Sequence, residues 1–220
     1  MRLLKKLLLS VGLVLVSASL LVAAEAKEQE KEEYHEGFEY IKIVPPQPTQ
    51  AKAGQVEVVE VFWYGCPHCY RFEPFLNKWL KNKPKNVVFF RIPGVINPGW
   101  EVHARAFYVA QLLQVGDKIH TPLFDALHKE RKALNTKQAL AGFFSKYGVD
   151  KKKFLAAYDS FQVEMRIKRA KSVVQKYGVY GVPTLIVNGK YRIGATNADQ
   201  SFAKMIRIMQ YLIKKEQAGS

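Results

Sequence analysis

The most restrictive feature of this sequence is the junction between an apolar, β-branched run and the only two cysteines among 220 residues. Residues 55–64 read QVEVVEVFWY and end at a glycine, a pattern typical of a buried central strand. Cys66 and Cys69 follow directly, with Pro67 between them. Because proline is well tolerated in the first turn of a helix, the strand is predicted to pass at once into a helix that extends to about Asn82.

The β pattern is interrupted by a long helical stretch and then returns. Residues 86–92 (NVVFFRI) predict a second strand, whereas residues 101–177 show successive helical patterns and no convincing strand. The segment TLIVNGKYRIG places Asn188 and Gly189 between two apolar runs, a strong signal for a β-hairpin. An amphipathic helix is predicted over about 199–215. This order of elements predicts an α/β sheet domain interrupted by a helical insertion.

Local signals divide the middle of the chain into helices. Short polar side chains favour helix starts, and glycines favour helix ends. Starts are predicted at Thr121-Pro122, at Asn135 or Thr136 and at Asp150, and ends at Gly116, Gly148 and Gly178.

The N-terminal segment carries the signals of export. Residues 1–24 combine three basic residues with an apolar run over 7–22, and small residues allow cleavage after Ala24 or Ala26. This is the layout of a secretory signal peptide. The alternative is an uncleaved membrane anchor, although the apolar run is shorter than the ~20 residues that span a bilayer. Export places the mature chain in a compartment where disulfides form and persist.

The segment after the signal is predicted to have little structure. Residues 25–37 (EAKEQEKEEYHEG) are charged and poor in apolar side chains, so we expect them to stay mobile. Residues 40–44 predict a short strand, and the prolines of 45–49 (PPQPT) predict an extended linker.

The chain is strongly basic, with a formal charge of +15 that falls to +12 when the three basic residues of the signal are removed. The excess charge lies mostly on predicted helix ends and polar faces, which favours a solvated surface over a nucleic-acid-binding one. Export also argues against a nucleic-acid partner. The clusters are Lys81/Lys83/Lys85, Lys151 to Lys153, Lys168/Arg169/Lys171 and Lys214/Lys215.

Three kinds of chemistry use a Cys-x-x-Cys pair. A structural zinc site needs four ligands, usually including a second cysteine pair or a histidine pair, and the other candidates here are only His35, His103, His120 and His128. Covalent haem attachment requires histidine directly after the second cysteine, where Tyr70 stands. A redox-cycling dithiol and an inert structural disulfide remain. Position favours cycling, because a helix N-terminus stabilises a thiolate on Cys66.

Two motifs resemble those of the DsbA family of bacterial periplasmic disulfide oxidoreductases. One is CPHC at a helix start, directly after EVFWYG, and the other is GVPT (181–184) before an NG hairpin. The resemblance covers nearly all of the mature chain from about Phe38. It implies a thioredoxin fold, built from residues 38–98 and 166–220, interrupted by an all-helical insertion domain over 99–165. The implied activity is donation of a disulfide to newly exported proteins.

The resemblance assigns roles around the cysteine pair. Cys66 is expected to be the exposed attacking sulfur that forms a mixed disulfide with substrate, and Cys69 its buried resolving partner. Pro67 and His68 form the dipeptide that tunes the reduction potential. His68 is expected to supply hydrogen bonds or positive charge to the Cys66 thiolate and so lower its pKa.

Further residues match the family at a distance from the pair. Val182 and Pro183 match a loop whose proline is cis and packs beside the disulfide, the alternative being an ordinary trans proline in a turn. Glu60 matches a buried acid that moves protons to and from the second cysteine, the alternative being a charge at an exposed strand edge. Glu73 and Arg91 resemble a charged pair near the site, although the family often has lysine at the latter position.

The resemblance also implies partners. Reduced exported proteins are the expected substrates, and a DsbB-like inner-membrane protein that passes electrons to quinone is the expected reoxidant. No metal or organic cofactor is required, and the periplasmic enzyme is expected to be a monomer. The alternatives are a DsbC-like isomerase, for which residues 25–55 are too short to form a dimerisation domain, a thioredoxin-like reductase, or a peptide-binding chaperone module with a structural disulfide.

Overall fold

The computed structural model describes residues 33–219 of the chain. Within this range the regular elements follow one another as β1 (Ile41–Lys42), β2 (Val56–Phe62), α1 (Pro67–Lys81), β3 (Val87–Pro93), α2 (Glu101–Leu112), α3 (Gly116–His128), α4 (Lys137–Ser145), α5 (Lys151–Tyr158), α6 (Phe161–Lys176), β4 (Thr184–Val187), β5 (Tyr191–Gly194) and α7 (Phe202–Ala218). The predicted signal peptide, residues 1–24, lies outside the described residues. None of the helices described is long and apolar enough to cross a membrane.

The five strands form one mixed sheet in the order β1-β5-β4-β2-β3. Strand β2 pairs in parallel with β3 and antiparallel with β4, and every one of its residues is buried. The register places Glu60 of β2 opposite Arg91 of β3. The β4–β5 hairpin turns at Asn188 and Gly189, both with positive φ, as the NG pair predicts.

Helices cover both faces of the sheet. On one face, Leu76 of α1 and Met205 of α7 pack in one apolar cluster with Val58 of β2. On the other face, Val174 of α6 packs against Ile186 of β4. Helices on both faces bury the central strand, and the arrangement is the predicted thioredoxin-like fold.

The helical segment between β3 and β4 has a core of its own. Residues of α2, α3, α4 and α5 bury their apolar sides together, and Phe62, Cys66 and Cys69 belong to the same cluster. Helix α6 passes through the predicted domain boundary at 165/166. Its N-terminal half contributes Ile167 to this cluster, whereas its C-terminal half packs against the sheet.

Most predicted helix ends are confirmed. Thr136 and Asp150 cap α4 and α5 by accepting hydrogen bonds from backbone N–H groups, and Gly148 and Gly178 follow helices with positive φ. The prediction for α3 is wrong, since Gly116 is its first residue and Pro122 lies inside it. The buried apolar stripe of this helix, including Ile119 and Leu123, stabilises it across the proline by packing.

The start of the described chain also differs from expectation. Tyr34 is buried and packs edge-on against Tyr211 of α7, so the predicted mobile segment, 25–37, has an anchored residue near its end. A single aromatic in an acidic stretch gives little local signal of burial. The predicted strand 40–44 is reduced to Ile41–Lys42, and the Val44–Pro45 bond that follows is cis.

Candidate active site

The cysteine pair lies where β2 passes into α1. Cys66 is the N-cap residue of the helix and Pro67 its first residue, as predicted. A hydrogen bond of 3.0 Å from the Cys66 N–H to the Trp63 carbonyl closes the intervening turn. Cys66, predicted to be exposed, is buried and retains only 8% exposure, whereas Cys69 is fully buried, as predicted. The two thiols are free, so the structure describes the dithiol state.

The two thiols have opposite acidities. A hydrogen bond from the Cys69 thiol lowers the pKa of Cys66 to about 6, and the N–H groups of Cys69 and His68 and the charge of His68 act in the same direction, against burial. Burial raises the pKa of Cys69 well above its ordinary value, and the negative charges of Cys66 and Glu60 add to this effect. Cys66 is therefore the thiolate at neutral pH, and Cys69 keeps its proton.

His68 lies on the exposed first turn of α1. Its Nδ1 atom is 3.1 Å from Nη2 of Arg71, one turn later. The charge of His68 also acts to lower the pKa of the Cys66 thiol.

A loop from the far end of the chain approaches Cys66. The thiol donates a hydrogen bond of 3.5 Å to the carbonyl oxygen of Val182, and the Val182–Pro183 bond is cis, as predicted. Thr184, at the start of β4, closes the loop by donating its hydroxyl to the Gly181 carbonyl at 2.7 Å.

This loop forms one wall of an open groove of about 340 Å³. His68 and Tyr180 lie at its margins, and Tyr180 is 87% exposed. Arg192 of β5 lies under the Tyr180 ring, with its guanidinium carbon 5.6 Å from the ring centre. An exposed aromatic and a groove beside a reactive sulfur are suited to holding an extended peptide.

Glu60 is fully buried, as predicted, and belongs to a charged cluster. Burial raises its pKa to about 7, against the opposing charge of Arg91. The Arg91 Nε atom donates to Glu60 Oε2 at 2.8 Å, and Nη2 lies 3.2 Å from Glu73 Oε1. The predicted Glu73–Arg91 pair is thus present and extends to Glu60. Among the described residues, Glu60 Oε1 has no hydrogen-bond partner.

Two histidines of α3 border the site, a position that was not predicted from the sequence. His120 Nδ1 is 2.9 Å from the Tyr64 hydroxyl, and His128 Nε2 is 2.7 Å from the Tyr64 carbonyl. The His128 ring also stacks on Tyr70, with centroids 4.8 Å apart. The spacing of His120, Phe124 and His128, four residues apart on one helix face, is the signal that was available.

Two tryptophans flank the turn before Cys66. The Trp63 ring stacks on Trp100 with centroids 4.3 Å apart and nearly parallel planes. Gly65 passes against the Trp63 indole so closely that a Cβ atom there would overlap the ring.

Over residues 33–219, no group of three or more His, Cys, Asp and Glu side chains forms a candidate metal site.

Comparison with known proteins agrees with this geometry. Residues 90–205 match the family model described as a DSBA-like thioredoxin domain. The thiol:disulfide interchange protein DsbA of Pseudomonas aeruginosa is 39% identical over 211 residues, covering 95% of this chain and 98% of that protein. The protein of the same name from Burkholderia cepacia is 39% identical over 98% of this chain and 97% of its own length. The chain belongs to the DsbA family.

Solved DsbA structures show the same fold. The crystal structure of Pseudomonas aeruginosa DsbA superimposes with a TM-score of 0.79 at 41% identity, covering 84% of this chain and 96% of that one. Oxidoreductase DsbA from Xylella fastidiosa gives 0.76 at 35% identity, covering 81% and 95%. As a member of the DsbA family, the chain is a thiol:disulfide oxidoreductase.

Proposed function

We propose that this DsbA-family chain donates a Cys66–Cys69 disulfide to reduced exported proteins in the periplasm. The observation that carries the proposal is the opposite acidity of the two thiols, with the pKa of Cys66 lowered to about 6 and that of Cys69 raised. A stabilised thiolate on Cys66 favours the reduced enzyme, which makes the disulfide a stronger oxidant. The low pKa also makes Cys66 a good leaving group when the mixed disulfide is resolved.

Each site residue has a role in this proposal. A substrate thiolate attacks Cys66, the more exposed sulfur, and Cys69 leaves as the buried partner. Pro67 starts the helix whose N–H groups face the thiolate, and His68 adds positive charge. Val182 and Pro183 border the groove in which the substrate backbone lies.

Glu60 supplies the proton in this reaction. The sulfur of Cys69 becomes a buried thiolate when the disulfide opens, and the charge of Glu60 acts on it. A carboxyl group with a pKa of about 7 holds a proton in much of the population at neutral pH and can release it to a stronger base. In a Glu60→Gln variant, the exchange rate should lose its inflection near pH 7.

Reoxidation completes the cycle. The reduced enzyme passes two electrons to a DsbB-like inner-membrane protein linked to quinone, and no metal or organic cofactor takes part. The enzyme acts as a monomer, and residues 1–24 direct its export. The family membership and the cleavable-signal pattern support this assignment.

The reduction potential of the cysteine pair tests the proposal. The mature protein is equilibrated with glutathione buffers, and the oxidised and reduced forms are quantified by thiol labelling and mass. We expect a potential above about −200 mV, which allows the disulfide to oxidise typical protein dithiols. A value near about −270 mV, as in thioredoxin, would instead make the chain a reductase. A Cys66→Ser/Cys69→Ser variant that retains full biological activity would favour a binding module.

A further inference from the structure

Four charged or titratable side chains form a continuous series of contacts beneath the cysteine pair. Arg91 contacts Glu60 at 2.8 Å and Glu73 at 3.2 Å. His120 Nε2 then lies 3.3 Å from the same Glu73 oxygen, Oε1, as an ion-pair contact without the alignment of a hydrogen bond. These residues come from β2, β3, α1 and α3, so the helical segment contributes one member to a cluster otherwise built by the thioredoxin-like fold.

When both carboxyl groups are ionised, the cluster has an odd number of charges. Two carboxylates share one guanidinium, so the group carries one excess negative charge unless it holds a proton. All four side chains are 17% exposed or less, and Glu60 is fully buried, so an unbalanced charge is costly. A single proton neutralises the cluster in two ways, either on Glu60 or on His120.

The surroundings of His120 suit both protonation states. The Tyr64 hydroxyl, 2.9 Å from Nδ1, donates to a neutral imidazole or accepts from an imidazolium. Burial raises the pKa of Tyr64, which keeps this hydroxyl protonated. Burial lowers the pKa of His120, whereas Glu73 acts to raise it.

Other charges also act on His120. Arg91 from β3 lowers its pKa, and Asp117, from the first turn of α3 itself, raises it. The net effect in the dithiol structure is a lowered pKa. The balance between these opposing groups depends on whether Arg91 is also neutralising an ionised Glu60.

Glu60 is arranged to be the other proton site. Its Oε2 atom accepts from Arg91, while Oε1 is buried and unpaired among the described residues, so a proton on the carboxyl group belongs on Oε1. When Glu60 ionises, the single positive charge of Arg91 has two carboxylates to neutralise and no longer balances Glu73 alone. Glu73 is then left to be balanced by His120.

We infer that His120 is a positioning residue that takes up a proton when Glu60 releases one, so that the buried cluster stays neutral during disulfide exchange. The inference rests on the proposed role of Glu60 as proton donor. The substrate thiolate forms a bond to Cys66 Sγ, the Cys66–Cys69 bond breaks, and its electron pair passes to Cys69. Glu60 protonates that sulfur, and His120, with 12% of its side chain exposed, takes a proton from water. Reoxidation reverses both transfers.

Thermodynamic linkage makes the inference testable in the resting protein. If Glu60 and His120 compete for one proton, neutralising Glu60 must lower the pKa of His120. The His120 ring is titrated by NMR with isotope-labelled histidine in the dithiol form, and its signal is assigned among the five histidines by its loss in His120→Gln. We expect Glu60→Gln to lower the pKa of His120 by about one unit or more. An unchanged pKa, or a His120 that does not titrate in the parent protein, overturns the inference.

The reciprocal variant gives the functional readout. His120→Gln removes the alternative proton site, so the pKa of Glu60 and the midpoint of the exchange-rate profile should move to higher pH. His103→Gln is the matched control, because His103 is also buried but bonds the Leu134 carbonyl outside the cluster. A midpoint that moves equally in both variants would reduce His120 to a packing role. If His120→Gln does not fold, the His120 signal is assigned by elimination with glutamine variants of the other four histidines, and its titration in Glu60→Gln still decides.

Failure of the inference and failure of the proposed Glu60 role are distinguishable. If Glu60→Gln changes the exchange profile but leaves the His120 pKa unaltered, only the inference fails. If the exchange profile is unaffected by Glu60→Gln, Glu60 is not the proton donor to Cys69, whatever the His120 titration shows.

Discussion

The sulfur of Cys66 lies 3.5 Å from the carbonyl oxygen of Val182, a residue 116 positions later in the chain. When Cys66 is protonated, the contact is a hydrogen bond from the thiol. An ionised sulfur has no proton to donate, so the carbonyl is then free to accept a hydrogen bond from another group. Ionisation of Cys66 therefore changes the hydrogen-bonding groups that are available at this edge of the groove.

Removal of the Cys69 thiol should raise the pKa of Cys66 above about 6, because the hydrogen bond from Cys69 is the largest of the effects that lower it. The change is Cys69→Ala, and the measurement is the ultraviolet absorbance of the thiolate as a function of pH. A Cys66→Ala/Cys69→Ala variant provides the baseline. An unaltered pKa would show that helix N–H groups and charge alone stabilise the thiolate.

Replacement of His68 should have a smaller effect in the same direction. His68→Gln keeps the backbone N–H that faces Cys66 and removes only the side-chain charge. We expect a smaller rise in the Cys66 pKa than in Cys69→Ala, together with a less oxidising potential. His35→Gln, at an exposed histidine outside the site, is the control. A rise in the Cys66 pKa as large as that in Cys69→Ala would contradict the expectation that the His68 charge has the smaller effect.

The contribution of Cys66 to the stability of the dithiol form should increase between about pH 6 and pH 9. The pKa of Cys66 is lower in the folded protein than its ordinary value of 9.0, so the unfolded chain binds more protons in this window. The stabilisation is complete above the unfolded pKa and is lost as pH falls through about 6. The unfolding free energies of the reduced parent protein and of Cys66→Ala are measured with denaturant at several pH values and compared. Parallel pH dependence in the two proteins would contradict the expectation.

Gly65→Ala should disturb the tryptophan stack. An added Cβ overlaps the Trp63 indole, so the ring must leave its position on Trp100. We expect a loss of about 1–3 kcal/mol in unfolding free energy, as for overpacked sites, and a changed tryptophan fluorescence spectrum.

Gly142→Ala is the matched control for that substitution. Gly142 lies in α4 with no atom near its Cβ position, so alanine there should stabilise the protein by about 0.5–1 kcal/mol. Equal stability changes at the two glycines would show that the Trp63 contact has no energetic consequence.

Features encoded by neighbouring residues were predictable from the sequence, whereas contacts across the fold were not. The β2–α1 junction follows from a β-branched run, a cysteine pair and Pro67, all within a few residues. The position of Glu60 beside Arg91 depends on strand register, and only the family resemblance suggested a buried acid there. Burial of Tyr34 depends on Tyr211, at the other end of the chain.

The error at α3 explains why His120 was missed. A helix start at Thr121-Pro122 leaves His120 in a loop before the helix, with no defined direction. Because α3 begins five residues earlier, at Gly116, His120 lies within the helix on the face that meets Tyr64. Packing of the α3 apolar stripe stabilises the helix despite Pro122. The earlier helix start then places His120 in the charged side-chain cluster.

Because Val182 comes 116 positions after Cys66, the ribosome adds it later. At about 5–20 residues per second, a ribosome adds Val182 about 6–23 s after Cys66. For nearly all of that interval the growing chain carries both cysteines but neither β4 nor the groove wall. The reactive pair is thus made early and its surroundings late, so a prematurely terminated chain would carry thiols without the structure that directs their chemistry.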